Sequence, residues 1–242
     1  MPPSALSSIN PHDYDHTHSN VSGGWLRAAV FGAMDGLVTN IALIAGIGAA
    51  GAKAPTIILT GIAGLVAGAF SMALGEYTSV RTQNEQIDSE VVVERSALAR
   101  NPIGEQHELV NTFTRMGMST TTARNAASEV HSNADTALRV HLTQELGVDP
   151  TAKALPIVAS LSSFVTFSLG AAIPLLPFLF GINSLWIGLA VGAVGLVAAG
   201  SLAARFTNQL WWRGGLRQLL FGMLAVAATF LVGVLVGVDG LG

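Results

Sequence analysis

The stretch AAVFGAMDGLVTNIALIAGIGAAGA, residues 28–52, contains one charged residue, Asp35. A helix needs about 20 mostly apolar residues to cross the hydrocarbon core of a bilayer, so this stretch predicts a membrane span. A carboxylate at that depth is costly, and such residues usually face a bundle interior, an ion pathway or a proton relay. We therefore expect a membrane protein in which Asp35 has a transport role. The structural alternative is a protonated Asp35 that is hydrogen-bonded to a neighbouring helix.

The composition of the chain agrees with a membrane protein. Hydrophobic residues make up 50% of the sequence, charged residues 11%, and the mean hydropathy is +0.53. The net charge of −3 gives no indication of a nucleic-acid partner. Cysteine is absent, which excludes disulfides, thiolate zinc sites and cysteine nucleophiles. Any metal must therefore be bound by oxygen, imidazole or thioether ligands.

Four apolar stretches predict five membrane spans. Residues 154–204 contain no charge, and at this length the stretch must form two spans. We expect its break at Pro174 and Pro177, which are followed by a glycine turn at Gly181, because proline and glycine end helices. The remaining stretches fit one span each: Ala28–Ala52, Ala54–Gly75 and Gln218–Val238.

The basic residues predict the orientation of the spans, because Lys and Arg accumulate on the cytoplasmic side. Seven of them lie between spans two and three, and none lies between spans three and four. The N-terminus and residues 81–153 are therefore expected in the cytoplasm, and the C-terminus outside the cell membrane. The predicted fold is all-α, with five transmembrane helices and a cytoplasmic helical domain inserted between spans two and three. The expected parts are a disordered tail at 1–24, spans one and two at 25–80, an acidic metal-binding domain at 81–153, and spans three to five at 154–242.

Residues 81–153 hold ten of the fifteen acidic residues and several helix signals. Asn101, Ser119 and Gly147 are predicted helix caps. The segment from Thr78 to Arg100 contains neither glycine nor proline, so the helix of span two is expected to continue through it.

Three pairs in this domain are three or four positions apart, which places both members on one helix face. Clustered carboxylates with an imidazole suit Fe(II), Mn(II) or Zn(II). From spacing alone, a solvated acidic face is the favoured interpretation. The pairs are Glu90 with Glu94, Glu105 with Glu108, and His141 with Glu145.

All histidines lie outside the predicted spans, which leaves no serine-histidine pair or paired-histidine zinc site at bilayer depth. We therefore expect no enzyme activity. His12, His16 and His18 in the tail are able to bind a cation loosely, but a disordered leader is the favoured interpretation.

Met72 and Glu76 lie one helical turn apart in SMALGEY, residues 71–77, at the cytoplasmic end of predicted span two. A thioether beside a carboxylate suits Fe(II) or Mn(II) better than magnesium or calcium. The alternative is ordinary core packing for Met72 and an interfacial position for Glu76.

Three segments together resemble the vacuolar iron transporter family, also called the nodulin-21-like family. They are GAMDGLVTNIALIAGIGAAG at 32–51, GLVAGAFSMALGEYTSV at 64–80 and QELGV at 144–148. The resemblance extends from Gly24 to Val238. It implies a homodimer with the ion path between the two copies, which exports Fe(II), and often Mn(II), from the cytosol in exchange for protons. We expect no prosthetic group; protons, lipid and divalent metal are the expected partners.

By the same resemblance, Asp35 and Met72 match the pathway aspartate and methionine of the family. Glu94, Glu105, Glu108 and Glu145 match glutamates of its cytosolic metal-binding domain.

The chain also departs from the family pattern. Gly64 and Ala97 stand where carboxylates are expected, and His141 replaces a methionine. We expect Glu90 to supply a missing oxygen at the soluble site and Glu76 to take over proton coupling.

A second function stays open at this point. A membrane-anchored sensor or storage protein would bind metal through the acidic domain without moving ions. That function predicts no flux and no requirement for Asp35.

Overall fold

The computed structural model describes residues 24–147, 153–207 and 209–239, and the secondary structure in these ranges is helical. The tail with His12, His16 and His18 lies outside the described residues. A 3₁₀ turn, Ile173–Leu175, joins α6 to α7. The helices are α1 (Trp25–Ala49), α2 (Ala54–Arg100), α3 (Pro102–Arg115), α4 (Thr120–Val130), α5 (Ala134–Leu146), α6 (Pro156–Ala172), α7 (Leu176–Leu179), α8 (Leu185–Phe206) and α9 (Trp211–Asp239).

Five helical segments are long and apolar enough to cross a membrane, which confirms the predicted number of spans. They are α1, α2, α6 with α7, α8 and α9. The predicted break within the longest apolar stretch is also confirmed: Gly181 has φ +83°, a conformation that favours glycine, and α8 begins at Leu185. The chain is thus a multi-pass membrane protein by the length and composition of its helices.

The second helix continues without interruption from the apolar stretch into the acidic segment, as predicted. It is 47 residues long, and we call residues 78–100 the α2 extension. The predicted caps are present: Asn101 accepts a hydrogen bond from the Gly104 amide, and Ser119 accepts one from the Thr122 amide. Gly147 ends α5 in the left-handed conformation.

The membrane helices pack around α1, which contacts α2, α6, α8 and α9. Close approach to α6 depends on Gly32 and Gly36, since a Cβ at Gly32 would lie 2.7 Å from the Ser163 carbonyl, and one at Gly36 would meet the Phe167 carbonyl. Small residues allow such backbone contacts between helices in lipid. The glycines around Asp35 therefore pack α1 against α6 within one chain.

The acidic segment forms a small helical unit of its own. Phe113 of α3 packs against Ala123 and Ala127 of α4 in a buried cluster. Helix α5 lies against α2. These contacts fix the helices that carry the acidic side chains relative to the α2 extension.

Candidate metal site and membrane carboxylates

A cluster of acidic and imidazole groups lies where three helices of the acidic segment meet. Glu94 is on the α2 extension, Glu105 is in the first turn of α3, and His141 is on α5. One potential ligand atom from each of the three lies within 4.8 Å of the others. Glu94 and Glu105 belong to different helices. The chain turns at Asn101, the N-cap of α3, and this turn brings Glu105 back toward Glu94.

His141 is the centre of this cluster and is fully buried. Its Nδ1 lies 2.8 Å from Glu145 Oε1, 3.4 Å from Glu94 Oε1 and 4.0 Å from Glu105 Oε2. Because one ring nitrogen faces three carboxylates, the imidazole and the carboxylates are able to share one cation. The pair His141 and Glu145, predicted from its four-residue spacing, is confirmed as a contact.

The Glu94 carboxylate has a buried oxygen, Oε1, that lacks a hydrogen bond within the described residues. Burial, the nearby charge of Glu145 and the smaller contributions of Glu105 and Glu108 raise the pKa of Glu94, while His141 lowers it. An uncompensated carboxylate of this kind would be neutralised by a bound cation.

The separations suit a single ion. Ligand atoms at about 2.1 Å from one metal lie roughly 3 to 4 Å apart from each other. The carboxylates of Glu94 and Glu105 and the imidazole of His141 form a set of oxygen and nitrogen ligands that first-row divalent metals accept, and Glu145 borders this set through its contact with His141. The favoured interpretation from spacing alone, a solvated acidic face, does not describe these residues, because Glu94 and Glu105 are mostly buried at the side chain.

Two members of the predicted metal set are more distant. Glu108 is exposed, and it contributes to the site through the electrostatic effect on Glu94. Glu90 lies one turn before Glu94 on the α2 extension and is partly buried. Within the described residues it makes no side-chain hydrogen bond or ion pair, so its expected role as an additional oxygen ligand stays a prediction.

One residue of the cluster was missed by sequence reasoning. His131 follows the last turn of α4, and its Nε2 lies 3.1 Å from Nε2 of His141. The two rings meet edge to face, with centroids 5.2 Å apart. Burial and the neighbouring His141 lower the pKa of His131. No periodic pattern links the two positions, since they belong to different helices.

Asp35 lies on α1 and is partly buried. It accepts a hydrogen bond from the Thr39 hydroxyl at 3.3 Å, one turn further along the same helix. In the part of the chain that the structure describes, no hydrogen bond or ion pair links Asp35 to another helix. The described contacts of Asp35 are thus within its own helix, and its transport role stays a prediction.

Met72 and Glu76 have different surroundings although they share a face of α2. Met72 is partly buried and packs against the cluster around Phe167 of α6. Glu76 is bound to Arg27 at the start of α1, with 2.5 Å between Oε1 and Nη2. The structure therefore places Glu76 between α1 and α2, and Met72 between α2 and α6.

Comparison with known proteins gives one family. A model described as the VIT family matches residues 26–234. The chain is 34% identical to a vacuolar iron transporter of Acanthamoeba castellanii, over 91% of this chain and 82% of the relative. It is 26% identical to vacuolar iron transporter 1 of rice, Oryza sativa subsp. japonica, over 93% of this chain and 90% of the relative. It is 32% identical to vacuolar iron transporter homolog 1 of Arabidopsis thaliana, over 90% and 86%.

Proposed function

This chain belongs to the VIT family, and from that membership we propose that it exports a divalent transition metal, Fe(II) or Mn(II), from the cytosol in exchange for protons. The relatives reported above are named iron transporters or their homologues. The observation that carries the proposal is that Glu105 of α3 and His141 of α5 meet Glu94 on α2, a helix whose apolar part is long enough to span a membrane. No enzyme activity is proposed.

We propose that the ion is collected at the acidic cluster and enters the membrane beside α2. On that helix Glu76 directly follows the apolar stretch, on the side of the cluster, and Met72 lies one turn inside the stretch; Asp35 lies in the apolar stretch of α1. A thioether and carboxylates in sequence would accept a partly dehydrated Fe(II) or Mn(II) ion. Asp35 has a hydrogen bond from Thr39 alone among the described contacts, which supports a carboxylate able to exchange partners.

The proposed orientation places the N-terminus and residues 81–153 in the cytoplasm and the C-terminus outside a cell membrane. Seven basic residues within 81–153 support it, as does their absence between α7 and α8. Transport from the acidic cluster toward Asp35 is then efflux.

A homodimer with the path between its copies is part of the proposal. One carboxylate and one thioether per chain are too few to replace the hydration shell of an ion, and a second copy doubles the set. The α2 surface supports such an interface, because four small residues recur there at four-residue intervals and all are exposed. They are Ala63, Ala67, Ser71 and Gly75.

Proton exchange is proposed through the carboxylates themselves. Burial raises the pKa of Glu94 above its ordinary value, so protons compete with a cation for this carboxylate more strongly than they would at an exposed glutamate. At the membrane, Glu76 is the candidate for coupling in place of the carboxylate that is absent at Gly64.

The test is metal flux into proteoliposomes with an imposed pH gradient, for Fe(II) under reducing conditions and for Mn(II). Asp35→Asn and Asp35→Ala should abolish flux while metal binding by the detergent-solubilised chain is retained. Glu129→Gln, an exposed carboxylate on α4, is the matched control and should transport at the wild-type rate.

Two results would contradict the proposal. Normal flux by Asp35→Asn would show that the Asp35 carboxylate is not needed for transport. Metal binding by the wild-type protein without flux under any gradient would instead support the sensor or storage function.

A further inference from the structure

We propose that His131 is a positioning residue for the metal site, in which its Nε2 accepts a hydrogen bond from His141 and so directs the Nδ1 lone pair of His141 toward Glu94, Glu105 and Glu145. The inference rests on the proposed function, because it assumes that the acidic cluster binds the transported metal. It concerns a residue that lies outside the carboxylate set.

The distances assign one role to each nitrogen of His141. Nδ1 faces the carboxylates, with Glu145 Oε1 at 2.8 Å and Glu94 Oε1 at 3.4 Å. Nε2 faces away from them, toward Nε2 of His131 at 3.1 Å. An ion among the carboxylates would therefore be bound by Nδ1, the nitrogen on their side of the ring.

Without a cation, Nδ1–H donates a hydrogen bond to Glu145 Oε1 at 2.8 Å, because a carboxylate oxygen can only accept. A cation bound at Nδ1 replaces that proton and determines where the ring proton must be. A neutral imidazole has one N–H and one lone pair, so a ring that binds metal through Nδ1 carries its proton on Nε2. His141 is completely buried, and a buried N–H without a hydrogen-bond partner is destabilising. His131 Nε2 is the acceptor that satisfies this proton. Metal-binding histidines generally donate their second N–H to such a partner, which fixes the tautomer.

His131 is well placed for this task and poorly placed to be a ligand itself. Its Nε2 is used in the contact with His141, which separates it from the carboxylate side of that ring. The backbone N–H of His131 is bonded to the Ala127 carbonyl, so the end of α4 fixes the position of the residue. His131 also borders a cavity of about 300 Å³ between α2 and α5.

The inference predicts a specific effect on metal preference. Imidazole is a good ligand for Zn(II) and Fe(II), whereas Mn(II) depends more on carboxylates. Loss of the His131 acceptor should therefore weaken Zn(II) binding more than Mn(II) binding. A residue that only stabilised the fold would weaken both ions to the same extent.

The experiment measures Zn(II) and Mn(II) binding to the purified full-length chain in detergent by isothermal titration calorimetry. His131→Phe keeps a ring of similar shape but removes the acceptor, and it should raise the Kd for Zn(II) by about 10- to 100-fold. His131→Gln offers an amide oxygen as acceptor and should restore the affinity to within about threefold of wild type. A Glu94→Gln, Glu105→Gln double variant retains the tail histidines and measures their background binding.

A double-mutant cycle tests whether His131 acts through His141. In a His141→Ala background, His131→Phe should cause no further loss of Zn(II) affinity. Unchanged affinity in the single His131→Phe variant, or an equal loss in both backgrounds, would overturn the inference while leaving the carboxylate site intact. Wild-type binding no stronger than that of the double glutamine variant would overturn the proposed metal capture as well, so the two failures are distinguishable.

Discussion

Arg27 and Glu76 join α1 to α2 through an ion pair in which 68% of the arginine side chain, but only 10% of the glutamate side chain, is exposed. The Arg27 guanidinium binds the Glu76 carboxylate, which is proposed to receive the metal from the acidic cluster. Two cations cannot share this carboxylate without repulsion, so an arriving ion must displace Arg27.

The first prediction follows from this competition. Arg27→Gln should lower the apparent KM for metal transport several-fold, because Glu76 is then free to accept the ion. The substitution also leaves the mostly buried Glu76 carboxylate without its partner, so the free energy of unfolding should fall by about 1–3 kcal/mol. Flux in proteoliposomes at varied Mn(II) concentration measures the effect. Arg81→Gln, which removes an exposed pair with Glu85, is the control, and an unchanged KM in Arg27→Gln would contradict the competition.

A second prediction concerns pH at the acidic cluster. Metal binding requires the Glu94 carboxylate, and burial raises the pKa of this group above its ordinary value. Mn(II) affinity should therefore be full above that raised pKa and should fall as the pH is lowered through it. Glu94→Gln should weaken binding and remove this inflection. Titrations from mildly acidic to neutral pH check the prediction, and an inflection that persists in the variant would assign it to another group.

The raised pKa of Glu94 affects folding stability in the opposite direction from metal affinity: stability falls as the pH rises. Glu94 binds its proton more strongly in the folded state than in the unfolded state. Its contribution to stability is thus present at low pH and is lost as the pH rises through the folded-state pKa. A bound metal should offset that loss.

The third prediction tests the close contact of α1 with α6. Gly36→Ala would bring a Cβ into the Phe167 carbonyl, which is backbone and cannot move aside easily. The free energy of unfolding should fall by about 1–3 kcal/mol. Gly75→Ala is the matched control, since no atom beyond its own stretch of helix lies within 4 Å of a Cβ built there, and alanine keeps the small side chain that the proposed α2 interface needs. Thermal unfolding in detergent compares them; equal melting temperatures would show that α6 adjusts without cost.

The fourth prediction addresses the proposed dimer. Ala67 lies in the row of small exposed residues on α2, and Ala67→Phe should block close packing of two copies and convert the protein to a monomer without flux. Leu224→Phe places the same side chain on α9, at a position that is already 72% exposed, and should leave the dimer intact. Light scattering after size-exclusion chromatography gives the mass. If the Ala67→Phe variant were still a dimer, the interface could not lie on this face of α2.

Much of the membrane fold could be predicted from local sequence. The length of the apolar stretches determines five spans, and Pro174, Pro177 and Gly181 lie where the longest stretch breaks. The caps at Asn101 and Ser119 have hydrogen-bonding side chains that act within three residues. Such features depend on neighbours along the chain, so spacing alone is sufficient to find them.

The site was harder to predict because its contacts join distant positions. Spacing identified His141 with Glu145 on one helix, but nothing in the local pattern indicated that Glu94 and Glu105 would meet them; the resemblance to a family supplied that expectation. His131 and the Arg27 partner of Glu76 were missed for the same reason. A contact between helices is determined by how the helices pack, and a single histidine or arginine carries no periodic signal of it.

Because α2 is one uninterrupted helix, a tilt of its membrane-spanning part also moves the α2 extension. At a rise of about 1.5 Å per residue, Glu94 stands roughly 28 Å beyond Gly75, the end of the apolar stretch. A tilt of about 5° at that point would displace the Glu94 carboxylate by roughly 2.5 Å, a distance comparable to a metal–ligand bond. Because α3 and α5 are packed against the α2 extension, a small rocking of the bilayer-embedded half would carry the whole metal cluster by that distance relative to the membrane.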